Sequence, residues 1–526
     1  MSDELPIGVA GAGPVGLITA LGLVHHGLPV VVLEEDDRLS LDTKAGTVLT
    51  RTLEVLHRYG ALTPVLRASL RIDEIGDIDR QTNAKARSVL TGALTEDTRF
   101  PFVINIPQHE LEPVLRAALE ERAPGSVRLQ HRLREFEQHD DHVLVRADTP
   151  DGPREVAVRY LLGCDGGRSA VREQLGVAVQ GQTYPERYSL VDIRADLDVA
   201  FPRDYPYLAY FGDPSEWMIL VRQPHCWRFL FPLAADHELP SRQELADKAR
   251  SFIGDAGELE VIGSNVYQVH HRVAERWRED RVFLMGDAAH LITPMWALGL
   301  NTGVLDASNL PWRLAWVVRG WADPALLDGY EREQSPVAIK GSGEMAQAAR
   351  AYMSRTGGGV DAMGEGNWGN AFTRSLLGVS LDVEGTGAWS MVRSGADPDA
   401  VRAGDRMPDL PLFGSDGIVH LHDLAADRFV ALYFTDTRRR PAISDAGPAL
   451  AHFAVSRWDA PHDSGLRDRA LFDPAERVRR RLGLERDALV LVRPDGHIAA
   501  LEPYDGSPGR AAQLYEDITG MAPPSA

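Results

Sequence analysis

Three short segments of the chain place glycines beside acidic residues in patterns that suit nucleotide binding. In the first segment, Gly11, Gly13, Pro14 and Gly16 follow a short apolar run and precede a helical pattern. In a strand-turn-helix unit, Gly11 would make the tight turn, Gly13 would admit a pyrophosphate to backbone amides, and Gly16 would allow close packing. Glu34 closes the next apolar run, where dinucleotide folds place the acid that binds ribose hydroxyls. The segment therefore predicts a dinucleotide-binding unit.

The second and third segments also end an apolar run with an acid and glycines. Asp165 and Gly166 follow one run, and Gly286 and Asp287 follow another. Open α/β sheets bind ligands beyond the carboxyl ends of their strands, so Asp287 could hold further sugar hydroxyls. The stretch Gly-Leu-Asn-Thr at 299–302 could bring backbone amides close to a flat ring.

Composition limits the kinds of protein that this chain can be. Its 526 residues exceed one hydrophobic core and predict two or three domains. The net charge of −20 argues against nucleic-acid binding, which needs a basic surface. Cys164 and Cys226 are too few for a disulfide framework or a zinc knuckle, so we expect no metal. Without a signal-peptide or membrane-span pattern, the sequence predicts a cytoplasmic protein with no membrane partner.

The order of these patterns divides the chain into four parts. Residues 1–178 and 271–395 hold the three segments and would form the two parts of one Rossmann-type α/β domain. Residues 179–270 are richer in strand-forming and aromatic residues and predict an interleaved β-rich substrate domain. Residues 396–526 follow a Gly- and Pro-rich stretch and predict a C-terminal domain.

The aromatic-rich part supplies the candidate substrate contacts. An aromatic residue in a strand often serves sheet packing alone, so packing stays an alternative for each of them. The candidates are Tyr207, Tyr210, Trp217, Arg222 and Trp227.

In this order and at these separations, the three segments resemble the class A FAD-dependent aromatic hydroxylases typified by para-hydroxybenzoate hydroxylase. The stretch from Pro294 through Trp296, together with the later Asp306, is most similar to the hydroxyphenylpropionate and polyketide hydroxylase branch. Residues 396–526 resemble the thioredoxin-like C-terminal domain of such enzymes. They contain no cysteine, which excludes thiol redox chemistry in this domain.

The resemblance implies FAD as the cofactor and NADPH or NADH as a transient reductant. It implies hydroxylation of a small phenolic or polyketide-type aromatic by O₂ through a flavin C4a-hydroperoxide. Pro294, Trp296 and His290 would lie at the reaction site, although His290 could equally make a structural hydrogen bond. Lys44 and Arg51 would contact the cofactor phosphates. The full set of implied FAD contacts is Gly11, Gly13, Pro14, Gly16, Glu34, Lys44, Arg51, Gln108, Asp165, Gly166, Arg172, Gly286, Asp287, Gly299, Leu300, Asn301 and Thr302.

Two alternative functions stay open at this point. A same-fold oxygenase could perform Baeyer-Villiger insertion, epoxidation or ring opening, and a flavin-binding redox sensor could have lost turnover. Where the family often has a glycine and a glutamine, this chain has Ala297 and Leu298, which would make one face of the flavin site more apolar. The sequence also leaves open the aromatic substrate, the choice between NADH and NADPH, and assembly into a homo-oligomer.

Overall fold

The computed structural model describes residues 5–39, 46–197, 205–213, 216–234, 240–254, 256–353, 381, 401–435, 447–457 and 469–525. The α-helices within these ranges, numbered along the chain, are α1 Pro14–His25, α2 Thr50–Arg58, α3 Leu62–Arg67, α4 Gln108–Arg122, α5 Ala170–Gln174, α6 Arg242–Ile253, α7 Leu298–Val318, α8 Asp328–Pro336, α9 Glu344–Met353, α10 Leu421–Leu424, α11 Arg477–Arg481 and α12 Arg510–Thr519. A π-helical stretch, Val337–Gly343, joins α8 to α9.

The three glycine segments lie at one edge of a six-stranded sheet with the order β18-β19-β12-β1-β2-β8. Its strands are β1 Ile7–Ala10, β2 Val30–Leu33, β8 Val127–Arg128, β12 Leu161–Gly163, β18 Arg278–Glu279 and β19 Val282–Leu284. All neighbours run parallel except β18, which is antiparallel to β19. β1, β2, β12 and β19 are buried along their whole length, as expected for parallel strands that are covered on both faces. The segments after β1, β12 and β19 therefore meet at the same edge.

An eight-stranded sheet forms the β-rich part and has the order β20-β17-β13-β16-β15-β14-β5-β6. Its strands are β5 Glu74–Asp79, β6 Ala84–Leu90, β13 Val179–Arg194, β14 Leu208–Gly212, β15 Met218–Arg222, β16 Trp227–Leu233, β17 Glu260–Ala274 and β20 His290–Leu291. The sheet extends beyond the expected 179–270, because β5 and β6 join it through a parallel pair between β5 and β14. Parallel pairing needs no local hairpin, so no turn signal in the sequence revealed this connection.

Side chains of this sheet alternate between two faces. The face that we call the inner face packs with Trp296 and with α9, and Tyr210 and Ile219 belong to it. The opposite, outer face is covered by α6 and includes Phe211 and Phe229. The inner face is thus the one that meets the chain just before α7.

Two small antiparallel sheets complete the first two parts. One has the order β3-β7-β4, with β3 Thr47–Val48, β4 Leu70–Ile72 and β7 Val103–Asn105. The other has the order β11-β10-β9, with β9 Arg132–Gln138, β10 Val143–Asp148 and β11 Arg154–Val158.

The C-terminal part forms a seven-stranded sheet with the order β22-β21-β25-β24-β23-β26-β27. Its strands are β21 Pro411–Gly414, β22 Gly417–His420, β23 Phe429–Phe434, β24 Leu450–Ser456, β25 Ala470–Phe472, β26 Ala488–Val492 and β27 Ile498–Pro503. Phe429 packs edge-on against Trp312 and Trp316 of α7, with ring centres 5.5 and 6.0 Å apart. This part therefore shares a hydrophobic core with the nucleotide-binding part. The thioredoxin-like assignment stays a prediction, and its expected boundary near residue 395 lies outside the described ranges.

Candidate active site

The first glycine segment leaves the space in front of the α1 amino terminus unfilled by other protein atoms. A Cβ atom on Gly11, whose φ is +99°, would lie 2.5 Å from the carbonyl oxygen of Cys164. A Cβ on Gly16 would overlap the Gly11 carbonyl oxygen. A Cβ on Gly13, by contrast, would meet nothing within 4 Å. Gly11 and Gly16 therefore allow close packing, whereas Gly13 leaves the amide end of α1, just before Pro14, accessible to a ligand.

Glu34 lies beside this glycine turn at the end of β2. Its carboxylate accepts hydrogen bonds from the backbone amides of Ala12, at 2.7 Å, and Asp36, at 3.1 Å. The neighbouring Glu35 is exposed and pairs with Arg132 instead. Of the two tandem acids, Glu34 is therefore the one that lies against the glycine turn.

The second segment is tied to the third by Arg172. Its guanidinium donates to the carbonyl oxygens of Gly167, at 2.8 Å, and Ala288, at 2.9 Å. One carboxylate oxygen of Asp165 accepts from the Val171 amide at 3.0 Å, and the other is buried without a partner among the described residues. Burial raises the pKa of Asp165. Gly166, with φ of +77°, makes the turn between strand and helix.

The third segment packs closely against the first. The Gly286 amide donates to the carboxylate of Asp306 on α7 at 2.8 Å. A Cβ on Gly303 of α7 would lie 2.6 Å from Val15 and 3.3 Å from the Cα of Gly286. The turn around Gly286 is buried, yet Asp287 within it is exposed. Its carboxylate is therefore the acidic group that this turn presents to solvent.

His290 makes the structural hydrogen bond that the sequence left as an alternative. Its Nε2 lies 2.8 Å from the Asp306 carboxylate, on the same oxygen that accepts the Gly286 amide. Its ring stacks on Trp277 with centres 5.1 Å apart, and only 1% of the residue is exposed. These contacts support a structural role, and proton transfer by His290 stays an untested prediction.

The chain before α7 adopts an unusual backbone. Trp296 and Ala297 both have φ of +57°, which is left-handed and uncommon for residues other than glycine. Helix α7 starts at Leu298 without a side-chain cap, so its first amides have no acceptor within the helix. A Cβ on Gly299 would meet only the Ile292 carbonyl oxygen, 3.8 Å away. The first turn of α7 thus offers open amide groups close to Leu300.

The side chains of Asn301 and Thr302 are engaged within the protein. Asn301 accepts hydrogen bonds from the Leu49 amide, at 2.9 Å, and the Thr52 hydroxyl, at 2.7 Å. The Thr302 hydroxyl donates to the hydroxyl of Ser342 in the π-helical stretch at 2.5 Å. Only their backbone groups remain for the ligand contact that the sequence suggested.

Pro294 and Trp296 lie at the junction between this turn and the inner face of the eight-stranded sheet. Pro294 precedes the turn and is half-buried. Trp296 is buried in the same apolar cluster as Tyr210 and Trp217. These three aromatic side chains therefore belong to one apolar cluster on the inner face, and their contact with a substrate stays a prediction.

The five candidate substrate residues lie on two different faces of the eight-stranded sheet. Trp227 belongs to the outer-face cluster under α6. Arg222 lies over the Trp227 ring at 5.4 Å, and Tyr207 packs edge-on against it at 5.9 Å. Strand alternation separates this group from Tyr210 and Trp217.

For three further predicted cofactor contacts, the structure gives no support: two bond within the protein and one lies outside the described residues. Arg51 is buried and donates to Glu54, at 3.0 Å, and to the carbonyl oxygen of Asp495, at 2.7 Å, so its placement does not support a phosphate contact. Gln108 stands at the start of α4 and donates to Glu112 at 2.7 Å. Lys44 lies outside the described residues.

The inner face also holds polar residues that the sequence did not single out. Asp77 is 2% exposed, pairs in register with Tyr210 and accepts a hydrogen bond from the hydroxyl of Tyr352 on α9. The buried hydroxyl of Tyr188 has no partner among the described residues. Its ring contacts Trp217 with centres 5.1 Å apart. An acid in a short strand gives no signal of burial, and only the sheet pairing brings these groups together.

Comparisons with known proteins agree with this geometry. The family described as FAD binding domain matches residues 4–341. A para-nitrophenol 4-monooxygenase of Pseudomonas sp. (strain WBC-3) is 30% identical over 66% of this chain and 87% of that protein. A 3-(3-hydroxy-phenyl)propionate/3-hydroxycinnamic acid hydroxylase of Escherichia coli O8 (strain IAI1) is 30% identical over 64% of this chain and spans 60% of that longer protein. The crystal structure of aklavinone-11 hydroxylase with FAD and aklavinone has a TM-score of 0.79 and 26% identity, and it covers 99% of this chain and 100% of that one.

Fold and site together define a flavoprotein of the aromatic hydroxylase class. The chain belongs to the FAD binding domain family, and it is an FAD-dependent monooxygenase. The predicted α/β fold with an interleaved β-rich part and the predicted cofactor FAD are thereby confirmed.

The residues present at the sheet edge fit FAD. The open amide ends at Gly13 and Gly299 suit a pyrophosphate and the pyrimidine edge of a flavin ring. Glu34, beside the glycine turn, and Asp287, exposed at the third segment, stay the predicted partners of ribose and ribitol hydroxyls. Within the described ranges, no helix is both long and apolar enough to cross a membrane, and no group of three His, Cys, Asp or Glu side chains is arranged to hold a metal ion.

Proposed function

We propose that this monooxygenase hydroxylates a fused-ring, polyketide-type phenolic compound. One observation carries the proposal: the structural likeness to aklavinone-11 hydroxylase runs through the C-terminal part and covers 99% of this chain, whereas that to a p-nitrophenol 4-monooxygenase covers 72%. The relatives are hydroxylases and monooxygenases of aromatic compounds, which favours hydroxylation over ring opening or Baeyer-Villiger insertion.

The chemistry that FAD supplies when bound is hydride acceptance from NADPH or NADH and activation of O₂. The protein has three tasks beside it. The first turn of α7 would stabilise negative charge at the pyrimidine edge, because a helix amino terminus carries a partial positive charge. The apolar inner face, with Trp296 and Trp217, would exclude water and hold an aromatic ring.

The hydrogen-bonded pair of Asp77 and Tyr352 provides the polar component of this inner face. We propose that it binds a phenolic hydroxyl and takes up its proton, which makes the ring carbon more nucleophilic. A carboxylate that is buried on an apolar face is unfavourable unless it is hydrogen-bonded, and the Tyr352 hydroxyl supplies one such bond. Pro294 and Trp296 would position the ring, while His290 holds the turn behind it.

The proposal is tested by NADH and NADPH oxidation with the FAD-loaded protein, with and without single-ring phenols and fused-ring aromatic polyketides. We expect a fused-ring phenol to accelerate oxidation most and to yield a product with one additional oxygen atom. Acceleration by p-nitrophenol alone would move the substrate to the single-ring class. Reduction without any oxygenated product from the whole panel would refute the proposal. Action in the cytoplasm and assembly into a homo-oligomer stay predictions.

A further inference from the structure

The turn between β26 and β27 reaches from the C-terminal part into the flavin-binding part. It has the sequence Arg493-Pro494-Asp495-Gly496 and is buried, with side-chain exposures of 3% for Arg493 and 0% for Asp495. The two side chains form an ion pair with each other. Two charged side chains in the core need partners on every side, and these partners come from α2, α7 and α8.

Arg493 neutralises a buried acid of the flavin-binding part. It donates to both carboxylate oxygens of Glu333 on α8, at 2.8 and 2.9 Å. Glu333 also accepts from Asn309, at 2.8 Å, and pairs with Arg313, at 2.7 Å, both on α7. Burial alone would raise the pKa of Glu333, but Arg313 and Arg493 outweigh it and lower this pKa to about 2. The C-terminal part thus completes the charge balance around α7.

Asp495 connects α7 with α2. Its carboxylate accepts a hydrogen bond from the Trp312 indole of α7 at 3.2 Å, and its carbonyl oxygen accepts from Arg51 of α2 at 2.7 Å. A Cβ on the next residue, Gly496, would lie 2.5 Å from the guanidinium of Arg58, also on α2. The turn therefore lies against α2, and its backbone at Gly496, with φ of +81°, favours a glycine.

Both helices begin at the flavin edge of the site. The Asn301 side chain binds the Leu49 amide and the Thr52 hydroxyl, so the first turns of α7 and α2 are joined. Further along, Arg58 of α2 donates to Ser308 of α7 at 3.2 Å. The two helices are thus linked at their amino-terminal ends by Asn301 and further along by the turn. A displacement at one junction would be transmitted to the other, because helices are rigid over this length.

We infer that the 493–496 turn of the C-terminal part positions the flavin-site ends of α2 and α7, with Asp495 as the positioning residue. The inference rests on the proposed function only in that the first turn of α7 faces the flavin ring. It gives the C-terminal part a role in catalysis that requires no thiol chemistry. The Asp495 carboxylate acts through Trp312 and Arg493, while its backbone carbonyl oxygen holds Arg51.

The test compares Asp495→Asn and Trp312→Phe with the unchanged protein. We expect Asp495→Asn to raise the Kd for FAD about tenfold, and Trp312→Phe to raise it by a smaller factor, since coupling through such networks is modest. FAD fluorescence titration gives the Kd at a temperature well below the melting transition of each variant. The reduction potential of the bound flavin and the oxygenated product formed per nucleotide oxidised provide two further readouts.

Arg477→Gln is the matched control. Arg477 also pairs across the same two parts, with Glu96 at 2.9 Å, but the two side chains are 39% and 61% exposed and neither belongs to α2 or α7. We expect this variant to leave FAD affinity, potential and product yield unchanged.

The possible outcomes separate this inference from the proposed function. If Asp495→Asn lowers the melting temperature but matches Arg477→Gln in Kd, potential and product yield, the turn is merely structural and the inference is overturned. If Asp495→Asn is insoluble, Trp312→Phe decides by the same readouts. If the unchanged protein binds FAD but oxygenates no aromatic compound, the proposed substrate chemistry fails while the Kd comparison still decides the inference.

Discussion

At the scale of single residues, the site divides into side chains that hold the turns and side chains that remain for ligands. Asn301 and the His290–Asp306 pair direct their hydrogen bonds into the protein, because buried polar groups must be paired. Asp287 is exposed at the edge of a buried turn, and we propose that it binds the cofactor. Of the two aspartates, the buried Asp306 therefore holds the protein together, whereas the exposed Asp287 is the one that can meet a ligand.

Replacing Asp287 by alanine should weaken FAD binding. The variant lacks the carboxylate that would accept hydrogen bonds from the ribitol hydroxyls. This loss corresponds to a Kd about 10- to 100-fold higher. Fluorescence titration measures the change, and Asp416→Asn, at an exposed acid in the turn between β21 and β22, serves as control. An unchanged Kd in Asp287→Ala would show that Asp287 does not bind the cofactor.

Two tyrosines of the inner face should respond in opposite ways to loss of their hydroxyl. Tyr352→Phe removes a donor from the buried Asp77 and should lower the free energy of unfolding by about 1–3 kcal/mol. Tyr188→Phe removes a hydroxyl that has no partner among the described residues, so stability should be unchanged or higher. Urea unfolding measures both. Equal destabilisation by the two substitutions would contradict this account.

Both tyrosine variants also test the substrate site. If the inner face binds the aromatic substrate, Tyr352→Phe should lower the rate of product formation, and Tyr188→Phe should raise KM. Steady-state assays with the accepted substrate separate the two effects. Wild-type kinetics in both variants would place the substrate elsewhere.

At the scale of secondary structure, the proposed cofactor site lies at the starts of two helices. α1 begins directly after Gly13, and α7 begins after the left-handed Trp296 and Ala297. Neither helix has a capping side chain, so no such side chain covers the backbone amides of the first turn beyond Pro14 in α1 and Leu298 in α7. The two glycines of α7 have different surroundings: Gly299 lies in the open first turn, whereas Gly303 packs against Val15 and Gly286.

Gly299→Ala and Gly303→Ala should therefore have opposite effects on stability. A methyl on Gly299 meets open space and should raise the free energy of unfolding by about 0.5–1 kcal/mol, because alanine favours helix. A methyl on Gly303 collides with Val15 and the Gly286 backbone and should cost about 1–3 kcal/mol. Thermal unfolding without FAD compares them directly.

Gly299→Ala should weaken FAD binding even though it stabilises the fold. Gly299→Ala places its methyl where the flavin ring would approach α7, so the Kd should rise about tenfold although the fold is intact. Unaltered FAD binding by a well-folded Gly299→Ala protein would show that the flavin ring does not approach the start of α7.

At the scale of the whole molecule, the C-terminal part is joined to the flavin-binding part by apolar packing and buried charges. His422 and His497 lie among these charges and are 5% exposed each. Burial lowers the pKa of both histidines from 6.5 to about 4. The carboxylate of Glu333 has the lowered pKa of about 2 described above.

The free energy of unfolding should fall as the pH is lowered from 6.5. Between 6.5 and 4 the unfolded chain binds protons at His422 and His497 that the folded protein excludes, a loss on the order of 3 kcal/mol per histidine. Below 4.5, the stabilising contribution of ionised Glu333 is lost in turn as the pH approaches its folded pKa. His497→Asn should flatten the first part of the curve in urea unfolding, while His225→Gln, at a histidine with 80% side-chain exposure, should not.

The sequence by itself determined the family, the cofactor and the three glycine segments. These features depend on local order, since a strand, a turn and a helix amino terminus are encoded within about twenty residues. It also indicated a separate C-terminal part. Local patterns contain the information for such units because the backbone groups that bind FAD belong to the turns themselves.

Only the tertiary structure decided which side chains share the site. Strand alternation and the β5–β14 pair placed Asp77 beside Tyr210 and moved Trp227 to the opposite face. Packing of the C-terminal turn engaged Arg51, a residue that the sequence had associated with cofactor phosphates. Contacts between residues hundreds of positions apart depend on how sheets and helices pack, and no local spacing encodes that packing.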